Sequence, residues 1–159
     1  MPELKGSCHC GAVSFAVESH GRHPYMRCYC SICRKQDGGG GYAINLSADA
    51  ATMKIDGAEH LTVYRARIDG QRSNAERNFC KHCGSALWLY DSRWPELIHP
   101  LASAIDSPLP RPPQTVHIML DFKPDWVDVP GPDAKNVHFA GYPERSIEDW
   151  HRSHGIWEE

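Results

Sequence analysis

The chain has 159 residues, a formal net charge of −3, 41% hydrophobic residues and 23% charged residues. These values suit one globular domain over residues 1–159, long enough to bury a core without covalent staples. They argue against nucleic-acid binding, since there is no basic run, and against a membrane span, since no stretch approaches roughly 18 apolar residues.

The start, Met1-Pro2-Glu3-Leu4-Lys5-Gly6, lacks the apolar centre of a signal peptide, so a cytoplasmic location is expected. Strand signals dominate from there on. Residues 12–17 alternate, with Val13, Phe15 and Val17 on one face. A short helix is expected near Ser31. Gly38-Gly39-Gly40-Gly41 reads as a turn before a strand at 42–46. Further strands are expected at 60–65, 86–90 and 115–121. Prolines between 108 and 113 and at Pro124, Pro130 and Pro132 mark connections. Near the end, Ser146 can cap a helix with Asp149 in the reciprocal position, and Gly155 is a natural stop. The expected class is mainly β, with antiparallel sheets and short helices, one of them near the C-terminus.

Seven cysteines fall in three clusters: Cys8-His9-Cys10, Cys28-Tyr29-Cys30-Ser31-Ile32-Cys33 and Cys80-Lys81-His82-Cys83-Gly84. In a reducing compartment such grouping points to metal and not to disulfides. A closed structural zinc site takes four ligands. The first and third clusters together supply four thiolates, and any set containing the middle cluster supplies five. Cys8, Cys10, Cys80 and Cys83 are therefore read as one closed structural site. Cys28, Cys30 and Cys33 are left as a three-ligand set, the layout of catalytic zinc with an exchangeable fourth position. A thiol taking that position would be deprotonated at neutral pH. Two zinc ions per chain are expected. Iron–sulfur ligation stays open, and so does closure of the second set by one of the ten histidines.

In order and spacing these clusters resemble the glutathione-dependent formaldehyde-activating enzyme family, which also contains centromere protein V. The resemblance rests on Gly6-Ser7-Cys8-His9-Cys10-Gly11-Ala12-Val13-Ser14-Phe15, Cys28-Tyr29-Cys30-Ser31-Ile32-Cys33-Arg34-Lys35 and Asn78-Phe79-Cys80-Lys81-His82-Cys83-Gly84-Ser85. The tail from Tyr142 to His151 carries a looser likeness. The resemblance implies a tent-like β fold, structural zinc on Cys8, Cys10, Cys80 and Cys83, and catalytic zinc on Cys28, Cys30 and Cys33. It also implies a carbon–sulfur lyase-type reaction joining a small thiol such as glutathione to a small aldehyde such as formaldehyde.

Other features read more plainly. Arg34 and Lys35 suit either the carboxylates of an anionic thiol or an exposed helix face. Trp88, Trp94, Trp126, Trp150 and Trp157 read mostly as packing. Arg65, Arg67, Arg72 and Arg77 read as solvated strand edges. The alternative to an enzyme is a non-catalytic zinc module that carries a thiol or docks a protein.

Overall fold

Alternation along short strands sets the architecture. In the computed structural model, which describes residues 2–159, the elements in chain order are β1 (Glu3–Ser7), β2 (Ser14–Glu18), β3 (Met26–Cys28), α1 (Ser31–Asp37), β4 (Ala43–Ile44), β5 (Ala48–Asp49), β6 (Lys54–Asp56), β7 (Leu61–Tyr64), β8 (Arg67–Ile68), β9 (Gln71–Arg72), β10 (Ala75–Cys80), β11 (Ala86–Asp91), β12 (Leu97–Pro100), β13 (Thr115–Ile118), β14 (Asn136–His138) and α2 (Ile147–Ser153). None of the described helices is long and apolar enough to cross a membrane.

Antiparallel pairing builds the sheets β1-β2-β6, β5-β12-β11-β10-β7 and β8-β9. The sheet β14-β13-β3-β4 is mixed: β13 runs parallel to both β3 and β14. Its strand Thr115–Ile118 is buried at Val116, His117 and Ile118 in succession, as a strand covered on both faces should be. The expected extension to 121 fails because Met119 takes φ 60°, which ends the strand and starts a tight turn over Leu120–Phe122.

Two apolar cores result. In the first, Leu4, Val13, Phe15, Val17, Leu46, Leu87, Trp88 and Ile98 close together, with Phe15 edge-on to Trp88 at 5.1 Å. In the second, Tyr25, Leu101, Val116, Ile118 and Trp150 pack, with Tyr25 stacked on Trp150 at 3.7 Å and 2°. Burying each large side chain contributes about 1.5–3 kcal/mol. Cys8 and Cys80 belong to the first core, and Cys28 and Cys33 to the second.

The C-terminal helix forms with the Ser146 cap and the Gly155 stop that the sequence foretells. Ser146 Oγ accepts from the Asp149 N–H at 3.0 Å. At the other end the Gly155 N–H reaches the Arg152 carbonyl and the Ile156 N–H reaches the His151 carbonyl, the paired bonds of a Schellman stop. Its buried face docks through Trp150 Nε1, which donates to Gln114 Oε1 at 2.9 Å, and through His151 Nε2, which accepts from the His23 N–H at 3.1 Å. Arg22 clasps Glu158 with two hydrogen bonds at 2.9 and 3.1 Å.

The glycine run is more than a turn. Gly38 and Gly41 are buried, and Gly39 and Gly40 are exposed. Gly41 has φ +97°, and a Cβ there would lie 2.3 Å from a Val127 methyl, so only glycine fits. Of the five tryptophans, Trp88 and Trp150 are buried, whereas Trp94 and Trp126 are exposed.

Candidate functional site

The first cysteine set is assembled from two turns. Cys8 and Cys10 lie just beyond β1. The Cys8 N–H bonds the Val13 carbonyl, and Cys8 Sγ accepts from the Val13 N–H at 3.3 Å. Cys80 ends β10. There the Gly84 N–H closes onto the Cys80 carbonyl at 2.8 Å, and the His82 N–H points at Cys80 Sγ at 3.4 Å. Gly84 has φ +78°, the left-handed conformation that this knuckle requires. Ser85 Oγ joins the turns by accepting the His9 N–H at 3.0 Å.

All four sulfurs of Cys8, Cys10, Cys80 and Cys83 lie within 4.8 Å of one another. Cys8 and Cys10 sulfurs are 3.6 Å apart, and those of Cys10 and Cys80, 70 positions apart in sequence, are 3.7 Å apart. A tetrahedral metal with bonds of about 2.3 Å to sulfur needs edges of about 3.8 Å. The set fits such an ion. Among the described residues all seven cysteines are free of disulfides.

The second set forms where β3 passes into α1. Cys28 ends the strand, Cys30 is the helix N-cap, and Cys33 lies in the first turn. Cys30 Sγ accepts from the Cys33 N–H at 3.3 Å, so the capping bond folds the segment back and brings the sulfurs together. The three sulfurs lie within 4.8 Å of one another, and among the described residues no histidine or carboxylate completes the set. Cys28 and Cys33 are buried and Cys30 is half-buried. This set too could hold a metal ion, with one coordination position left free.

Proximity divides the protons among these thiols. Cys30 is held down to about 2, first by hydrogen bonding from Cys28, then from Cys33. Cys28 is pushed far up by its hydrogen bonds to Cys30 and Cys33 and by burial. The Cys28 thiol pulls Cys33 down, but hydrogen bonding to Cys30 and burial together raise it. Of the three, the half-buried N-cap Cys30 is the thiol most favoured to ionise, helped by the Cys33 and Ile32 backbone N–H groups. Three crowded sulfurs that cannot all ionise unaided are the donor set a divalent cation satisfies.

A brace and two polar side chains surround this set. Between the two cysteines, Tyr29 Oη donates to His117 Nδ1 at 2.8 Å, and His117 Nε2 donates to Asn136 Oδ1 at 3.1 Å. Arg77 Nη1 donates to Cys33 Sγ at 3.7 Å, and Asn45 Nδ2 reaches the same sulfur at 4.0 Å. Neither Arg77 nor Asn45 stands out in the sequence. Arg77 is not on a solvated edge: β10 lies inside its sheet, between β7 and β11, and the side chain is half-buried. A cleft beside the C-terminal helix, about 370 Å³ and lined by Tyr25, Phe139, Arg145 and Trp150 among others, contains none of the cysteines.

A family model described as glutathione-dependent formaldehyde-activating enzyme matches residues 3–121, which include all seven cysteines. The chain belongs to this family. A Halomonas elongata protein that carries the provisional name glutathione-dependent formaldehyde-activating enzyme is 60% identical over 155 residues, 98% of each chain. A Rhodobacter sphaeroides protein of known crystal structure is 32% identical, with a TM-score of 0.54, covering 67% of this chain and 91% of that one. In this member of the glutathione-dependent formaldehyde-activating enzyme family, α2 lies beyond the residues matched by the family model, yet Trp150 packs in the same core as Cys28 and Cys33.

Proposed function

We propose that the protein is a zinc enzyme that joins a small thiol of the glutathione type to formaldehyde, giving the S-hydroxymethyl adduct. One observation carries this reading: apart from a complete four-sulfur set, the chain gathers a second set of three convergent sulfurs, and among the described residues no histidine, carboxylate or further cysteine closes it. Family membership and the name of the Halomonas relative supply the substrates.

In this reading Cys8, Cys10, Cys80 and Cys83 hold a structural zinc, and Cys28, Cys30 and Cys33 hold a catalytic one. When bound, zinc at the three-sulfur set supplies an exchangeable coordination position at which a thiol loses its proton at neutral pH. The protein's part is to hold three sulfurs in one orientation and to keep the approach clear. Since Cys30 is the most exposed of the three, a thiol would enter from its side. Around Cys33 the enclosed space is only about 10 Å³, too small for a substrate. Arg34, half-buried on α1, and the exposed Lys35 offer positive charge to the carboxylates of an incoming thiol. In the reaction the sulfur–carbon bond forms as the carbonyl π bond opens, and the thiol's proton ends on the former aldehyde oxygen.

Turnover of glutathione with formaldehyde, corrected for the uncatalysed reaction and combined with metal analysis, tests the proposal. Wild type should run above background with two zinc ions. Cys30→Ser should fall to background with one. A wild-type protein that stays at background while binding thiol saturably would be a carrier module and not an enzyme.

A further inference from the structure

Among the described residues, five side-chain nitrogen or oxygen atoms are buried without a hydrogen-bond partner, and two of them belong to Asn45 and Arg77, the side chains that reach Cys33. Arg77 Nε is one of these atoms. Arg22, Arg93 and Arg152 each pair with a carboxylate. Arg77 has no such partner among the described residues. A guanidinium stays charged at every physiological pH, and a half-buried cation without a counter-ion is unfavourable. The contact the fold gives it is to sulfur: Nη1 donates to Cys33 Sγ at 3.7 Å, and that sulfur is a thiolate when the set holds a metal. In the sheet Arg77 stands opposite Leu89 of β11 and Tyr64 of β7, neither of which carries a charge to pair with it.

Charge counting says what this cation does. Three thiolates around a divalent ion carry a net charge of about −1, and a thiolate as fourth ligand brings this to about −2. Doubling the negative charge in a partly buried site opposes the entry of any anion. A fixed positive charge beside one of the sulfurs offsets that step and has little effect on a neutral ligand.

We propose that Arg77 is a positioning residue of the three-sulfur site: acting through Cys33, it balances the charge of the thiolate set so that the site accepts an anionic fourth ligand. The proposal rests on the reading of Cys28, Cys30 and Cys33 as metal ligands. Asn45 adds a neutral donor to the same sulfur.

Cobalt(II)-loaded protein tests it, because thiolate-to-cobalt absorption grows as a thiol binds and the cobalt d–d bands shift as any fourth ligand enters. Wild type, Arg77→Met, Arg77→Gln and Arg77→Lys are titrated with 2-mercaptoethanol, which binds as the thiolate, and with imidazole, which binds neutral. Loss of the charge in Arg77→Met and Arg77→Gln should weaken mercaptoethanol binding by about tenfold or more. Arg77→Lys should keep it within about threefold, and imidazole should bind all four proteins alike. Should Arg77→Met fail to fold, Arg77→Gln, which keeps hydrogen-bonding capacity without charge, carries the same comparison. Mercaptoethanol binding unchanged in the uncharged variants would overturn the proposal. So would imidazole weakening in step with mercaptoethanol, since Arg77 would then be holding shape and not charge. A wild-type protein that loads cobalt only at the four-sulfur set, seen before any thiol is added, would sink the metal reading of the three-sulfur set and this proposal with it.

Discussion

The two cysteine sets differ in how the chain makes them, and in the proposed function that difference separates holding a fold together from presenting chemistry. The four-sulfur set joins turns 70 positions apart and sits against the first core. Its ligands come from two rigid turns, each closed by backbone hydrogen bonds. The three-sulfur set spans six consecutive residues at one strand-to-helix junction, in the second core, and needs no distant ligand. A metal in the first set closes a long loop. A metal in the second closes nothing, so removing it costs the fold little. The second set has instead what the first lacks among the described residues: a cationic side chain that donates to one of its sulfurs.

This contrast can be broken most severely at the first set. Cys83→Ser should remove one metal and with it most of the folded protein. A structural zinc contributes about 10–16 kcal/mol in small zinc domains, against a total stability of about 5–15 kcal/mol for a typical protein. Soluble yield, circular dichroism and metal content check this. A soluble, folded Cys83→Ser protein would show that the four-sulfur set is not the staple.

The next effect sits in the brace behind the second set. Tyr29→Phe leaves His117 Nδ1 buried without its hydroxyl partner, at a cost of about 1–3 kcal/mol in urea unfolding. His117 is fully buried, so water cannot readily replace the lost bond.

A shallower effect comes with pH. His99, His117 and His151 all have pKa values lowered first by burial. In the unfolded chain these groups titrate near about 6.5. Below that pH the unfolded state binds more protons than the folded state, so stability should fall as pH drops from about 6.5 toward the lowered values. Above about 7 these groups should leave it unchanged. Melting temperatures from pH 8 to 5.5, with cobalt retention followed in the same samples, read this directly. A flat profile with metal retained would mean that these histidines are protonated in place.

The smallest effect on stability should be that of Cys30→Ser. Serine is itself a good N-cap, so the bond to the Cys33 N–H survives the change. The melting temperature should stay within about 5 °C of wild type even though the metal of that set is lost. A collapse comparable to that of Cys83→Ser would erase the distinction between the two sets.

Much of the site was legible before any coordinates. Ligand spacing is local, and counting four against three places Cys8, Cys10, Cys80 and Cys83 apart from Cys28, Cys30 and Cys33, which is how the sulfurs gather. The Ser146 cap and the Gly155 stop mark α2 from a few adjacent residues. The strand β10, Ala75–Cys80, was harder to read, because its half-buried run of Glu76, Arg77 and Asn78 lacks an apolar alternation. Likewise the segment Met26–Cys28 is too short to announce a strand, and its parallel partner Val116–Ile118 lies far along the chain.

By itself, then, the sequence determined the division of the cysteines, the mainly β class and the capped final helix, because each depends on neighbours along the chain. Only the tertiary structure decided that no histidine among the described residues joins the three sulfurs, that one sheet is mixed, and that Arg77 rests on Cys33. Those outcomes depend on how strands distant in sequence come into register. Side-chain period and turn chemistry specify the strands one at a time and leave their partners to the packing of the whole.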